Sequence, residues 1–168
     1  MNRDSQNVLY KLRENVVVKL PYKDFDAQSS EDFRNLIPGF TKKVINSVLI
    51  LDFSNVTFIS GSGAAALMFA WRLCNERGIK LILTNLNIIS LEYLTSKALD
   101  SIFDITNNLK EAVSLSEKYA EEMNMFQKKV NELESFFGNP AKDNSQTTSA
   151  KVYNFVSSTD SDLKRNIN

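Results

Sequence analysis

Apolar residues along this chain fall into two periodicities, and the alternation between them predicts the architecture. Val8 to Leu12 and Val16 to Leu20 are short β-rich runs separated by Arg13-Glu14-Asn15, which predicts an antiparallel hairpin. Pro21 ends the second run, having no N–H for a ladder. Val48-Leu49-Ile50-Leu51 is apolar on both faces, as a central covered strand requires, and Lys80 to Thr84 is of the same kind. Ile102-Phe103-Asp104-Ile105 reads as a further short strand, while Val56 to Ile59 carries the chain toward a glycine-rich turn.

Helical spacing fills the intervals. Phe33, Leu36, Ile37, Phe40 and Val44 share one helical face, after Asp24-Phe25-Asp26-Ala27 and a start signal at Ser29-Ser30-Glu31-Asp32, where a serine would be the cap. A proline in a helix interior costs about 3 kcal/mol, so Pro38-Gly39 predicts a kinked or two-piece helix. Gly63 to Arg77 is a helix ending with Gly78 at C′, and its first half is apolar all round, which requires near-enclosure. Ile88 to Leu99 follows with Ile88, Leu91, Leu94 and Ala98 on one side, and Asn107 or Asn108 can cap a last helix starting at Leu109.

The order β-β-α-β-α-β-α-β-α implies parallel pairing with right-handed crossovers. The expected fold is α/β, a mixed four- to five-stranded sheet with helices packed on it. Three segments follow: a domain over 8–113, an extended amphipathic helix over 114–137, and a disordered tail over 138–168, whose composition cannot offset ordering entropy. Within that tail, Val152 to Val156 is a short apolar run that could add to a sheet edge. In the last helix Ala112, Ser116, Tyr119, Met123, Phe126, Val130, Leu133 and Phe137 are spaced alternately 4 and 3 apart, a heptad seam. Tyr119, Met123, Phe126, Val130, Leu133 and Phe137 are therefore candidate contacts for a partner or a second copy; the alternative is folding back on the domain. The flanks mix charged Glu122, Lys129 and Glu134 with apolar Val113, Leu115, Ala120 and Phe136, a stripe wider than a dimeric zipper usually needs and better suited to a multi-helix surface.

Composition narrows the function. Twenty basic and twenty acidic residues cancel, which argues against nucleic acid or an anionic membrane as the main partner. Met1 to Asn7 is polar without an apolar signal core, and no run reaches the length of a membrane span, so a cytoplasmic protein is expected. The absence of histidine removes the commonest catalytic base and zinc ligand. Cys74, the lone cysteine, lies in an apolar helical pattern and reads as a small core residue. No metal and no cofactor are expected.

Candidate chemistry concentrates at Ser60-Gly61-Ser62-Gly63, where a strand hands over to a helix and backbone N–H groups with the helix dipole favour an anion. Gly61, Gly63 and Ala66 satisfy G-x-G-x-x-A, yet a hairpin and a helix precede the motif and the next strand ends in Thr84-Asn85 rather than an acid. A nucleotide-binding protein is thus an outside alternative. A serine hydrolase lacks its usual base, and no Ser-x-x-Lys lies at the turn. Neither enzyme reading is supported.

Over residues 8 to about 113 the chain resembles the STAS domain, named for sulfate transporters and anti-sigma-factor antagonists. The resemblance rests on the opening hairpin, Phe25-Asp26, the run from Leu49 through Asp52-Phe53-Ser54-Asn55 to Ile59, and the glycine turn. Lys80 to Leu83 and Leu99 to Ile105 also match in order and spacing. It implies a non-enzymatic module that binds a kinase-type anti-sigma-factor regulator in a partner-switching pathway. There a serine at the turn is phosphorylated to release the complex, and a PP2C-type phosphatase restores it. Asp26, Ser60, Gly61, Ser62 and Gly63 become candidate partner-binding residues. The family's phosphorylated pattern reads Asp-Ser-Ser/Thr-Gly. Aligned on Gly63, this chain has Ser60 at the aspartate, Gly61 at the acceptor and Ser62 at the second hydroxyl. Either Ser62 or Ser60 takes over as acceptor, or the switch is lost; Gly61 itself is explained equally by a turn needing positive φ. A STAS scaffold subunit that uses the last helix is the alternative.

Overall fold

The computed structural model describes residues 8–12, 15–44 and 48–137, the first stretch by backbone alone. In chain order the elements are β1 (Val8–Leu12), β2 (Asn15–Lys19), β3 (Asp24–Phe25), α1 (Ala27–Thr41), β4 (Val48–Asp52), β5 (Phe58–Ile59), α2 (Gly61–Glu76), β6 (Lys80–Thr84), α3 (Ile88–Ser96), β7 (Asp104–Thr106) and α4 (Leu109–Phe137). The expected tail, including Val152 to Val156, lies outside the described residues.

Five strands form one mixed sheet in the order β1-β2-β4-β6-β7. The hairpin pairs antiparallel, Val8 opposite Lys19, and the remaining neighbours are parallel. From β2 each crossover advances in one direction, so right-handed connections lay α1, α2 and α3 on the same face. Period-two alternation divides the strands between two cores. Val16, Val18, Leu49, Leu51, Leu81 and Leu83 pack with Phe33, Ile37, Leu67, Ala70 and Leu94; Val17, Val48, Ile50 and Ile82 pack with Ala112 and Val113 of α4. Doubly apolar strands are thus explained by helices on both faces.

A second, two-stranded ladder was not legible in the pattern: β3 pairs in parallel with β5, Asp24 opposite Phe58 and Phe25 opposite Ile59. Two residues are too few to show a period.

Several boundaries differ from expectation, each for a local reason. α1 begins at Ala27, capped by Asp26 rather than by a serine in the Ser29-Ser30 pair. It also runs unbroken through Pro38. That proline deprives only the Arg34 carbonyl, which lies on the exposed side of the helix, where water can satisfy it. Downstream, Thr41 Oγ1 donates to the Pro38 carbonyl at 3.1 Å and accepts from Arg77, tying the ends of α1 and α2 together. Leu36 is exposed despite the helical spacing, as are Ile88 and Ile89 at the start of α3. Ala65 and Phe69 likewise face outward, so α2 is less enclosed than its sequence implies.

Helix α2 ends as expected. Gly78 takes φ 66°, the Gly78 N–H reaches Asn75 O, and the Ile79 N–H reaches Cys74 O, a Schellman closure. α3 ends the same way, two residues before Ala98, which adopts φ 54° and lets the Leu99 N–H bond Leu94 O. This stops α3 at Ser96, short of Leu99, and moves the last strand to Asp104–Thr106. Cys74 is fully buried in the core, and burial pushes its thiol pKa up to about 12.

Gly39 lies inside α1 without positive φ, and a methyl group there would meet nothing within 4 Å. Gly39→Ala should therefore stabilise the fold by about 0.5–1 kcal/mol, by reducing unfolded-chain entropy without a clash. Denaturant midpoints of the two chains measure this.

Candidate docking site at the start of α2

The β3–β5 ladder delivers two helix starts to one place. Phe25 ends β3, and the next residue, Asp26, caps α1; Ile59 ends β5, and the next residue, Ser60, caps α2. The Phe25 carbonyl joins them. It accepts from the Ser60 N–H at 3.1 Å and from Ser60 Oγ at 3.0 Å.

Accounting for one hydroxyl decides how the two serines differ. Ser60 Oγ donates its single hydrogen to Phe25 O, and it accepts from the Gly63 N–H at 3.2 Å. At the 2.8 Å contact between Ser60 Oγ and Ser62 Oγ, Ser62 must therefore be the donor. Ser60 is saturated by the cap. Ser62, half-buried, keeps acceptor capacity on its oxygen. Ser60 accordingly has an architectural use that Ser62 does not share.

The two glycines are equally distinct. Gly61 is exposed and does not have positive φ, so the turn does not demand glycine there. A Cβ at Gly61 would meet only the Tyr93 hydroxyl of α3, at an ordinary 3.6 Å. At Gly63 the same atom would fall 2.3 Å from Phe25 O and 2.9 Å from the Phe25 ring. Gly63 is buried, and what it supplies is the close approach of α2 to β3 rather than a surface.

Asp26 is exposed and carries a reciprocal cap. Its Oδ1 accepts from the Ser29 N–H at 3.1 Å and from Ser29 Oγ at 2.9 Å, while Ser29 Oγ accepts from the Asp26 N–H at 2.8 Å. Ser30 Oγ donates to the Asp26 carbonyl. The Ser29 backbone and side-chain hydrogen bonds hold the Asp26 carboxyl below its ordinary pKa. In contrast, α2 has no acidic residue in its first turn.

Residues that sequence reasoning passed over brace this loop. Asp52 Oδ1 accepts from the Ser54 N–H and from Asn85 Nδ2, both at 2.9 Å, joining the ends of β4 and β6. Asn87 caps α3 through the Ser90 N–H, and its Nδ2 donates to the Val56 and Thr57 carbonyls at 3.1 and 2.9 Å. The Asn85-Leu86-Asn87 triplet reads as a loop; turn-forming asparagines were the available signal. α3 is thereby held against β5, and Phe58, Ile88 and Ile89 are exposed.

Among the other candidates, half-buried Tyr119 packs against the sheet's second core, with Lys80 Nζ 5.3 Å from its ring centroid. Met123, Phe126 and Leu133 are exposed along α4 and Val130 is half-buried; they are remote in the chain from the α2 start and form a separate surface. Phe137 ends the helix. The described residues contain no group of three or more acidic or cysteine side chains able to hold a metal.

Gly63→Ala should cost about 1–3 kcal/mol or prevent folding, because the rigid backbone of Phe25 cannot yield, whereas Gly61→Ala should fold normally; thermal melts of both separate the two roles. Asp26 has a lowered folded pKa, so its contribution is complete above the ordinary carboxylate pKa and is lost as pH falls through the folded value. Asp26→Asn, which keeps an acceptor, should show a flatter loss of stability in that acid window than the parent chain, measured by denaturant titration at successive pH values.

Comparison with known proteins agrees with this architecture. The mouse protein solute carrier family 26 member 10 is 43% identical over 56 residues, covering 33% of this chain. That stretch is only 8% of the mouse protein's length. Among solved structures, the anti-sigma factor antagonist SpoIIAA of Bacillus, in its unphosphorylated form, matches with TM-score 0.54 at 20% identity, covering 66% of this chain and 95% of that one. A sulfate transporter family protein from Wolinella succinogenes matches with TM-score 0.56 at 17% identity, covering 70% and 95%. The STAS domain model matches residues 8–112, well over half of the sequence, and the chain belongs to the STAS domain family.

Proposed function

We propose that this chain is a non-enzymatic regulatory module that binds another protein through the start of α2, in the manner of an anti-sigma-factor antagonist. Its partner would be a kinase-type regulator, with a PP2C-type phosphatase as the opposing enzyme. The observation that carries the reading is the division of labour between the two serines. Ser60 is consumed by the cap, while Ser62 sits in the first turn of a helix whose N-terminal end bears no acid. A phosphate on Ser62 would bring nearly two negative charges to that end, where the dipole favours them, and would change the charge of the contact surface. Ser62 is therefore the acceptor in this reading, and Asp26, Ser60 and Gly61 shape the surface around it.

The fold similarity to SpoIIAA supports an antagonist role, and similarity to a sulfate transporter family protein supports a scaffold or regulatory attachment instead. No helix among the described residues is long and apolar enough to cross a membrane. The alternative scaffold reading is favoured by one observation, the exposed apolar stripe of α4.

Incubating the chain with a cognate anti-sigma kinase and ATP, then mapping phosphosites, tests the switch. Phosphate should appear on Ser62, disappear in Ser62→Ala, and persist in Ser60→Ala if that variant folds. Gly61→Ser, which the space beside Tyr93 admits, should add a second acceptor at the family's usual position. Retained binding with no phosphate on the parent chain would show a constitutive binder.

A further inference from the structure

The hydroxyls at the two helix starts form one chain of hydrogen bonds with a single direction. Ser62 Oγ donates to Ser60 Oγ at 2.8 Å, and Ser60 Oγ donates to the Phe25 carbonyl at 3.0 Å. That carbonyl shares its peptide unit with the Asp26 N–H, which donates to Ser29 Oγ at 2.8 Å. Ser29 Oγ has one hydrogen, and its nearest acceptors are the Asp24 carbonyl at 2.8 Å and Asp26 Oδ1 at 2.9 Å. Every link from Ser62 onward donates toward β3 and the α1 cap, the arrangement in which hydrogen bonds polarise one another.

We propose that phosphorylation of Ser62 reverses the head of this chain and so carries the modification from α2 to Asp26 at the start of α1. The coupling rests on Ser62 being the phosphorylated serine. In the transfer Ser62 Oγ bonds to the γ-phosphorus of ATP, the bridging P–O bond to ADP breaks, and the hydroxyl proton leaves to a base of the kinase. Ser62 Oγ then has no hydrogen, and at neutral pH its phosphate is mainly an acceptor.

Ser60 Oγ is left beside an oxygen that only accepts, 2.8 Å away in the unmodified chain. It keeps the Gly63 N–H as its donor at 3.2 Å, so its single hydrogen must choose between Phe25 and the modified serine. A hydrogen bond to an ionised acceptor is about twice as strong as a neutral one, so Ser60 turns its hydrogen to the phosphoserine. Rotation about the Cβ–Oγ bond is enough. The Phe25 carbonyl retains the Ser60 N–H at 3.1 Å, so α2 stays tied to β3 while the Asp26 peptide loses polarisation. Two candidate docking residues on different helices thus answer to one event.

The test is NMR at neutral pH on the full chain carrying phosphoserine at position 62, installed by genetic encoding. The Phe25 carbonyl carbon and the Asp26 amide nitrogen should both move upfield relative to the unmodified chain, as loss of a hydrogen bond to that carbonyl requires. Ser60→Gly has no hydroxyl to turn and keeps a tolerated N-cap residue, so the same phosphate should leave both nuclei nearly unmoved in that background. Ser60→Asp, which caps without a hydroxyl hydrogen, is a second such background and should behave alike. Unmoved nuclei in the phosphorylated parent would overturn the proposal. So would an equal upfield movement in either Ser60 variant, since the phosphate would then act through space. Because no kinase takes part, failure of this coupling and failure of Ser62 as an acceptor are read separately.

Discussion

The carbonyl of Phe25 is the constraint on which the paired starts of α1 and α2 depend. It accepts two bonds from Ser60, and its own residue closes the β3–β5 ladder. The ring beneath is fully buried, stacked on Tyr22 at 5.8 Å and edge-on to Phe33 and Phe53 at 5.4 and 6.3 Å. Because the ring and carbonyl both press on α2, that helix can approach only where it has no side chain, at Gly63. Two helix N-termini, capped by Asp26 and Ser60, are thus fixed side by side. A large aromatic anchor contributes on the order of 1.5–3 kcal/mol by burial, more than a single cap, so the core holds the site rather than the reverse.

That rigidity sets the two hydroxyls of the turn apart. A cap hydroxyl that donates once and accepts twice has no capacity to spare, and modifying it would release the turn from β3. Ser62, two residues further, reaches Ser60 Oγ rather than the Phe25 carbonyl. Charge follows the same division: α1 has a carboxylate at its positive end, and α2 has none in its first turn. The two helix starts are alike in geometry and opposite in electrostatic demand.

At the other face, α4 is a domain helix for its first three turns and a projecting helix afterwards. Its cap is local and strong: Asn108 Oδ1 accepts the Glu111 N–H, while the Glu111 carboxylate accepts from the Asn107 N–H and from both asparagine side chains. One unbroken helix therefore passes from core to surface without a hinge, and the sheet ends before the heptad does.

Much of the main sheet could be read from the sequence, because strands covered on both faces must be apolar throughout and because Gly78 and Asn108 are local signals acting on adjacent backbone. Membership of the STAS domain family was legible for the same reason, since the Ser60 to Gly63 turn is a contiguous motif. Tertiary structure decided what no window of neighbouring residues contains. The β3–β5 ladder joins residues more than thirty positions apart. The saturation of Ser60 depends on Phe25, and the difference between Gly61 and Gly63 depends on which one lies beneath it. Pro38 did not divide α1 in two, because its cost depends on whether the deprived carbonyl faces water. The heptad of α4 was visible from spacing alone, but only the sheet's extent showed that Tyr119 packs on the domain and that the rows beyond it do not.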